Sequence, residues 1–116
     1  SLKQQENNRI VIKKGCSCEV IRLSDIEYCE VQGRKIYIHQ RGGRVADCYE
    51  KLDTFAGRLD SRFFRCHRSF IVNLGFISGC ADGQITLSSG GKIPVSRLRE
   101  RDLRQALLQF MKERRC

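Results

Sequence analysis

Residues 62–73, read as RFFRCHRSFIVN, set three arginines within seven residues among four ring side chains within eight. Few local structures tolerate both. A core strand cannot bury three unpaired guanidinium groups cheaply, and a solvated loop gains nothing from Phe63, Phe64 and Phe70. Both demands are met by a strand that enters the core at Phe63 and Phe64 and breaks into an exposed polar turn over 67–69. It then re-enters at Phe70, Ile71 and Val72. Such a break holds cations rigidly on a β scaffold, which suits recognition of an anion. The plainer alternative is a buried strand pair whose arginines reach out to solvent along their alkyl stems.

The rest of the chain reads as short strands around this stretch. Residues 9–13 and 18–23 form two strands split by Gly15, and 26–31 and 35–40 form a hairpin across Gln32 and Gly33. Residues 44–47 pair back across Gly42 and Gly43. Alternation puts Ile36 and Ile38 on one face of their strand, with Lys35, Tyr37 and His39 on the other. A helix is predicted over 48–56, with Asp47 as its cap and Glu50 completing a capping box. Leu52, Phe55, Ala56 and Leu59 make its apolar stripe, and Gly57 ends it. Residues 76–81 and 84–87 flank Asp82-Gly83, the strongest hairpin signal in the chain. Residues 92–95 make a last strand after Gly90 and Gly91. Residues 98–115 close the chain as an amphipathic helix with Leu103, Ala106, Leu107, Phe110 and Met111 inward. The sum is a mainly β chain of about nine or ten short antiparallel strands, one short helix and a C-terminal amphipathic helix. Neither helix looks suited to lie in a groove.

Charge narrows the partner. The chain of 116 residues has 22 Lys and Arg against 13 Asp and Glu, a net +9. No acid occurs over 31–46, 61–81 or 83–99, and those windows hold Arg34, Lys35, Arg41, Arg44, Arg62, Arg65, Arg68, Lys92, Arg97 and Arg99. Segregation of this kind marks one positive face and a polyanionic partner. The seven cysteines are odd in number, and several lie among apolar residues such as those around Cys29 and Cys80. They read as reduced, mostly buried thiols of a cytoplasmic protein rather than a disulfide framework. No run approaches the roughly 20 apolar residues of a membrane helix.

Catalytic and metal chemistry find little support. Cys66 and His67 are adjacent, but neighbours on a strand point to opposite faces and cannot readily share a proton. Cys16, Cys18, Cys29 and Cys48 lack the paired spacing of structural zinc sites. Asp25, Glu27 and Glu30 read as a solvated acidic edge. The glycine pairs lack the Gly-Lys-Ser/Thr of a phosphate loop. No cofactor or metal is expected, and His67 is expected to satisfy its ring on the turn backbone.

The pattern F-x-R-x-H-R-S-F-I-V-N at 63–73, followed by the short Gly-Phe-Ile-Ser-Gly segment at 75–79, resembles the hallmark of the LytTR family. These are the DNA-binding output domains of LytR/AgrA-type bacterial response regulators. The resemblance implies an elongated stack of small antiparallel sheets whose loops reach into successive major grooves of duplex DNA. By position, Arg68 and Ser69 fall in the central recognition loop, and Ser96, Arg97 and Arg99 in the final one. Arg34 or Lys35 falls near the first. Arg68 and Arg97 are expected to read bases, Lys35 and Arg99 to hold phosphates, and Ser69 and Ser96 to add phosphate hydrogen bonds. Some relatives carry asparagine where Arg68 stands. The resemblance further implies residues 1–8 as a linker remnant, 9–116 as the DNA-binding domain, a receiver domain upstream, and dimers on direct-repeat sites. An RNA-binding or protein-interaction β module is the competing class; it would need exposed aromatic rings or an exposed apolar patch.

Overall fold

A computed structural model describes residues 8–113. The chain divides into two compact units, Ser1–Asp60 and Ser61–Cys116. The ends of the predicted linker and of the C-terminal helix, with Arg114, Arg115 and Cys116, lie outside the described residues.

The first unit opens with a hairpin of β1 (Arg9–Lys14) and β2 (Ser17–Arg22) in unbroken register from Arg9↔Arg22 to Lys14↔Ser17. Its two-residue turn begins at Gly15, whose φ of 58° lies in the left-handed region that glycine adopts without penalty. Three further strands pair in the order β5–β4–β3: β3 (Ile26–Gln32), β4 (Lys35–Gln40) and β5 (Val45–Tyr49). The alternation expected in β4 is present, with Ile36 and Ile38 fully buried and Lys35, Tyr37 and His39 half-buried opposite them. Ile10, Ile12, Ile21, Leu23, Ile26, Cys29 and Phe55 complete this core. On the polar face the Tyr28 and His39 rings, partners in the ladder, stack 4.2 Å apart.

The helix expected over 48–56 is shorter than the pattern implied. Residues 45–49 are strand β5, and only α1 (Leu52–Ala56) is helical. The capping box does not form. Lys51 occupies the cap position without a side-chain bond. Asp47 instead bonds Lys14 at 2.6 Å, and Glu50 pairs with Arg58 at 2.9 Å. Ladder pairing of Ile38 with Ala46 and Ile36 with Cys48 buries both small side chains, which outweighs a local cap signal. Leu52 and Phe55 do face the core, as the stripe requires.

The second unit contains the hairpin of β6 (Phe63–His67) and β7 (Phe70–Asn73) and a three-stranded sheet in the order β10–β9–β8. These are β8 (Ile77–Ala81), β9 (Gln84–Leu87) and β10 (Lys92–Pro94). The Asp82-Gly83 turn has φ of 54° and 76°, the doubly positive pattern of a type I′ hairpin turn. Pro94 sits on the edge strand, where a missing N–H leaves no ladder bond unmade. Helix α2 (Glu100–Glu113) buries Leu103 and half-buries Ala106, Leu107 and Phe110. Met111, expected inward, is exposed beside Leu108. Phe110 packs onto Gly75, where an added Cβ would lie 3.5 Å from the ring and 3.3 Å from Asn73 Oδ1. Asn73 itself is buried, and its Oδ1 accepts from Gly75 N–H at 2.9 Å, which ends β7.

The central stretch enters the core by a different residue from the one anticipated. Phe63 and Phe64 are only half-buried, and Cys66 is the fully buried side chain of β6, followed by Ile71 and Val72 in β7. Not all thiols are buried, either: Cys29, Cys48 and Cys66 are, whereas Cys16, Cys18 and Cys80 are exposed. All six are free.

Candidate nucleic-acid interface

Arg68 and Ser69 form the two-residue turn between β6 and β7, with a register shift between Arg65 and His67. The shift lets Arg65 fold back over the turn. Its Nε donates to His67 O at 3.1 Å and its Nη2 to Arg68 O at 2.7 Å. Ser69 N–H donates to His67 Nδ1 at 3.1 Å, so His67 meets its expected backbone partner and a neutral ring carries its proton on Nε2. The His67 ring also meets Phe70 edge-on at 5.7 Å. One guanidinium and one imidazole thus fix every residue of the turn. Arg68 is left exposed, with no side-chain partner among the described residues.

The segment after β10 is tied to the same strand. Ser96 N–H donates to Cys66 O at 2.9 Å, while the Cys66 thiol donates to Pro94 O at 3.6 Å and more weakly to Phe70 O. Burial pushes that thiol up to about 12, so it stays protonated and is no nucleophile. Residues 97–99 make one 3-10 turn, closed by Arg99 N–H to Ser96 O at 2.9 Å. Arg99, expected to hold a phosphate, is engaged inside the protein. Its Nε donates to Arg65 O at 3.1 Å, its Nη1 lies 3.4 Å from Asp102, and its guanidinium sits 4.9 Å above the Phe64 ring. Arg97 is exposed and, among the described residues, unpaired. The structure therefore brings Arg68, Ser69, Ser96 and Arg97 onto two turns anchored on one strand, with Arg65 and Arg99 clamping them. The clamping role of Arg65 was not visible in the sequence, since only the register shift turns it back over the turn.

In the first unit, the β3–β4 turn is Gly33-Arg34, one residue later than predicted. Only Gly33 has positive φ, at 63°, as a type II′ turn requires. Arg34 is exposed at its tip. Lys35 is half-buried on the polar face, its Nζ 3.9 Å from Asp47 and 5.3 Å from the Tyr49 ring centre. Asp47 is shared with Lys14, and the close hydrogen bond between them holds the carboxyl below its usual range and raises the amine. Among the described residues no His, Cys, Asp and Glu side chains gather in a group that could hold a metal ion, and no helix is long and apolar enough to cross a membrane.

The description of the LytTr DNA-binding domain matches residues 17–108. Transcriptional regulatory protein NatR of Bacillus subtilis is 36% identical over 72 residues, which is 61% of this chain and 30% of that protein. Transcriptional regulatory protein YpdB of Escherichia coli is 33% identical over 73 residues, 63% of this chain and 30% of its own length. Accessory gene regulator protein A of Staphylococcus epidermidis is 32% identical over 73 residues, 61% and 30%. The chain spans 30% of the length of each of these relatives. A solved LytTr DNA-binding domain from Bacillus cereus has the same fold, with a TM-score of 0.72 at 24% identity, covering 86% of this chain and 96% of that one. With most of its length matched and, among the described residues, ten short strands followed by a C-terminal helix, this chain belongs to the family of LytTr DNA-binding domains.

Proposed function

We propose that this domain binds duplex DNA sequence-specifically and regulates transcription as the output half of a cytoplasmic two-component response regulator, with an upstream receiver domain. Residues 9–116 act as one DNA-binding domain after a linker at 1–8. The observation that carries this reading is the exposure of Arg68 and Arg97 on two turns whose backbones are clamped by other arginines. A guanidinium on a fixed backbone can present its planar fork to guanine O6 and N7 with little ordering left to do on binding. The B-DNA major groove, about 12 Å wide, admits such turns as readily as a helix. Ser69 and Ser96, half-buried beside the readers, hydrogen-bond phosphate oxygens and set the register. At the first loop Arg34 is the better phosphate contact, because Lys35 is drawn to Asp47. Arg99 acts mainly as a clamp. Two copies occupy direct-repeat sites, with no cofactor and no metal.

The test is a set of binding isotherms on duplex DNA, single-stranded RNA and anionic vesicles across a salt series. Four to six phosphate contacts at roughly 0.9 each give a slope of log K against log salt near −4 to −5 on duplex. A flat salt response, or equal affinity for all three ligands, refutes the proposal.

A further inference from the structure

The segment that carries Arg97 also carries Leu98, whose side chain is 90% exposed, more than any other large apolar residue described. A solitary exposed leucine is ordinary on a protein surface. Two features set this one apart. Its backbone is fixed on both sides, by Ser96 N–H on Cys66 O at 2.9 Å and by the Arg99 bonds to Ser96 O and Arg65 O at 2.9 and 3.1 Å. The neighbouring core positions are also already filled, by the buried Val95 before it and Leu103 after it. Leu98 is therefore held outward rather than left over from the core.

An apolar side chain fixed between two arginines fits a partner surface that is charged and polar but carries isolated apolar groups. The major groove is such a surface: its hydrogen-bonding edges are interrupted only by the 5-methyl group of thymine. We infer that Leu98 is a specificity residue that packs on a thymine 5-methyl group next to the base read by Arg97. The inference rests on the duplex-binding reading above and adds to it a second, apolar reading element in the same turn. Arginine selects guanine by its acceptors, whereas leucine selects thymine over cytosine and over uracil by one methyl group.

Random-site selection with the wild-type domain supplies the duplex. The guanine read by Arg97 is the position at which Arg97→Ala loses its discrimination. Each thymine of the selected site is then replaced singly by deoxyuridine, which removes the methyl and nothing else. The affinity of wild type and of Leu98→Ala is measured on each duplex by fluorescence anisotropy. At one thymine adjacent to that guanine, deoxyuridine is expected to weaken wild type about three- to tenfold, the scale of losing one buried methyl contact. Leu98→Ala is expected to lose the same factor on the thymine duplex and nothing further on deoxyuridine. A melt of Leu98→Ala matching wild type shows that the fold is intact. The inference is overturned if no deoxyuridine substitution affects wild type, if the selected site has no thymine there, or if deoxyuridine costs Leu98→Ala as much as wild type. It is also overturned if Leu98→Ala changes the sedimentation of the free domain, which would make Leu98 a protein contact. Failure to select any duplex would instead defeat the DNA-binding reading itself.

Discussion

Arg99 separates two ideas about the basic surface, because a clamp and a phosphate contact answer differently to lysine. Arg99→Lys keeps the positive charge. It loses the planar fork that lets Nε reach Arg65 O at 3.1 Å while Nη1 meets Asp102 at 3.4 Å and the guanidinium covers Phe64. A hydrogen bond from a charged donor contributes about 1.5–3 kcal/mol when well shielded. The arginine side chain is 42% exposed, so solvent screening reduces this to about 1–2 kcal/mol. The Asp102 pair adds little, and lysine can largely replace it. For a domain of this size, about 1–2 kcal/mol lowers Tm by roughly 4–8 °C.

The binding consequence follows from what the clamp holds. Without Nε on Arg65 O, the 97–99 turn keeps its backbone bonds from Ser96, Arg99 and Glu100 N–H but loses its side-chain tie to β6, and Arg97 must be ordered anew on binding. Ordering one such side chain and its backbone costs about 1–2 kcal/mol, so Arg99→Lys is expected to lose about five- to thirtyfold on a selected site. On random duplex, where charge alone counts, it should bind as wild type with the same salt slope. Differential scanning calorimetry and anisotropy on both duplexes make the comparison. Should Arg99→Lys melt and bind like wild type while Arg99→Gln lowers the salt slope by about one, Arg99 is a phosphate contact and the clamp argument is wrong.

Arg68→Ala is expected to lose roughly ten- to a hundredfold on a selected duplex and much less on random duplex, with an unchanged melt; equal loss on both would make it a phosphate contact. Arg34→Ala should lower the salt slope by about one, and Lys35→Ala by less, because the Lys35 amine already lies 3.9 Å from Asp47; the reverse order in a salt titration would assign the first-loop contact to Lys35. At pH 8, iodoacetamide and peptide mapping should find Cys16, Cys18 and Cys80 labelled and Cys29, Cys48 and Cys66 protected, since burial raises all three thiols; a labelled Cys66 in the folded protein would contradict its place in the core. Burial lowers the pKa of His39, so between its folded value and the usual value of about 6.5 the unfolded chain binds more protons and stability falls as pH drops. Urea melts from pH 7.5 to 5.5 should show this decline, and His39→Phe, which keeps the stack on Tyr28, should flatten it.

The sequence places Arg68, and not Arg65, in the polar break at 67–69, and the structure adds what Arg65 does there. Arg65 and Arg68 stand three residues apart with similar neighbours. One donates to the backbone of the turn and the other extends from it. Nothing local reveals the clamp, because it comes from the register shift between Arg65 and His67, which depends on how β7 pairs back. The same holds for Arg97 and Arg99: on one short turn, only the second comes within reach of Arg65 O and Phe64. What composition and alternation could deliver was the β scaffold, the position of the polar break and the type I′ turn at Asp82-Gly83, all of which rest on contacts near in sequence. The helix over 48–56 failed for the same reason that the Arg65 clamp was illegible. Asp47 and Glu50 carry a local cap signal, yet Asp47 is taken by Lys14, 33 positions earlier, and residues 45–49 by pairing with β4. A charged side chain on a small β domain can serve either its own backbone or a partner, and long-range strand pairing decides which. Three of the four arginine hydrogen bonds described at these two turns end on main-chain carbonyls of the turn and of β6, which a neutral side chain could serve only weakly. The positive charge that composition reads as affinity for a polyanion is thus partly consumed as structural bracing, and the slope of a salt titration should count only the cations left over.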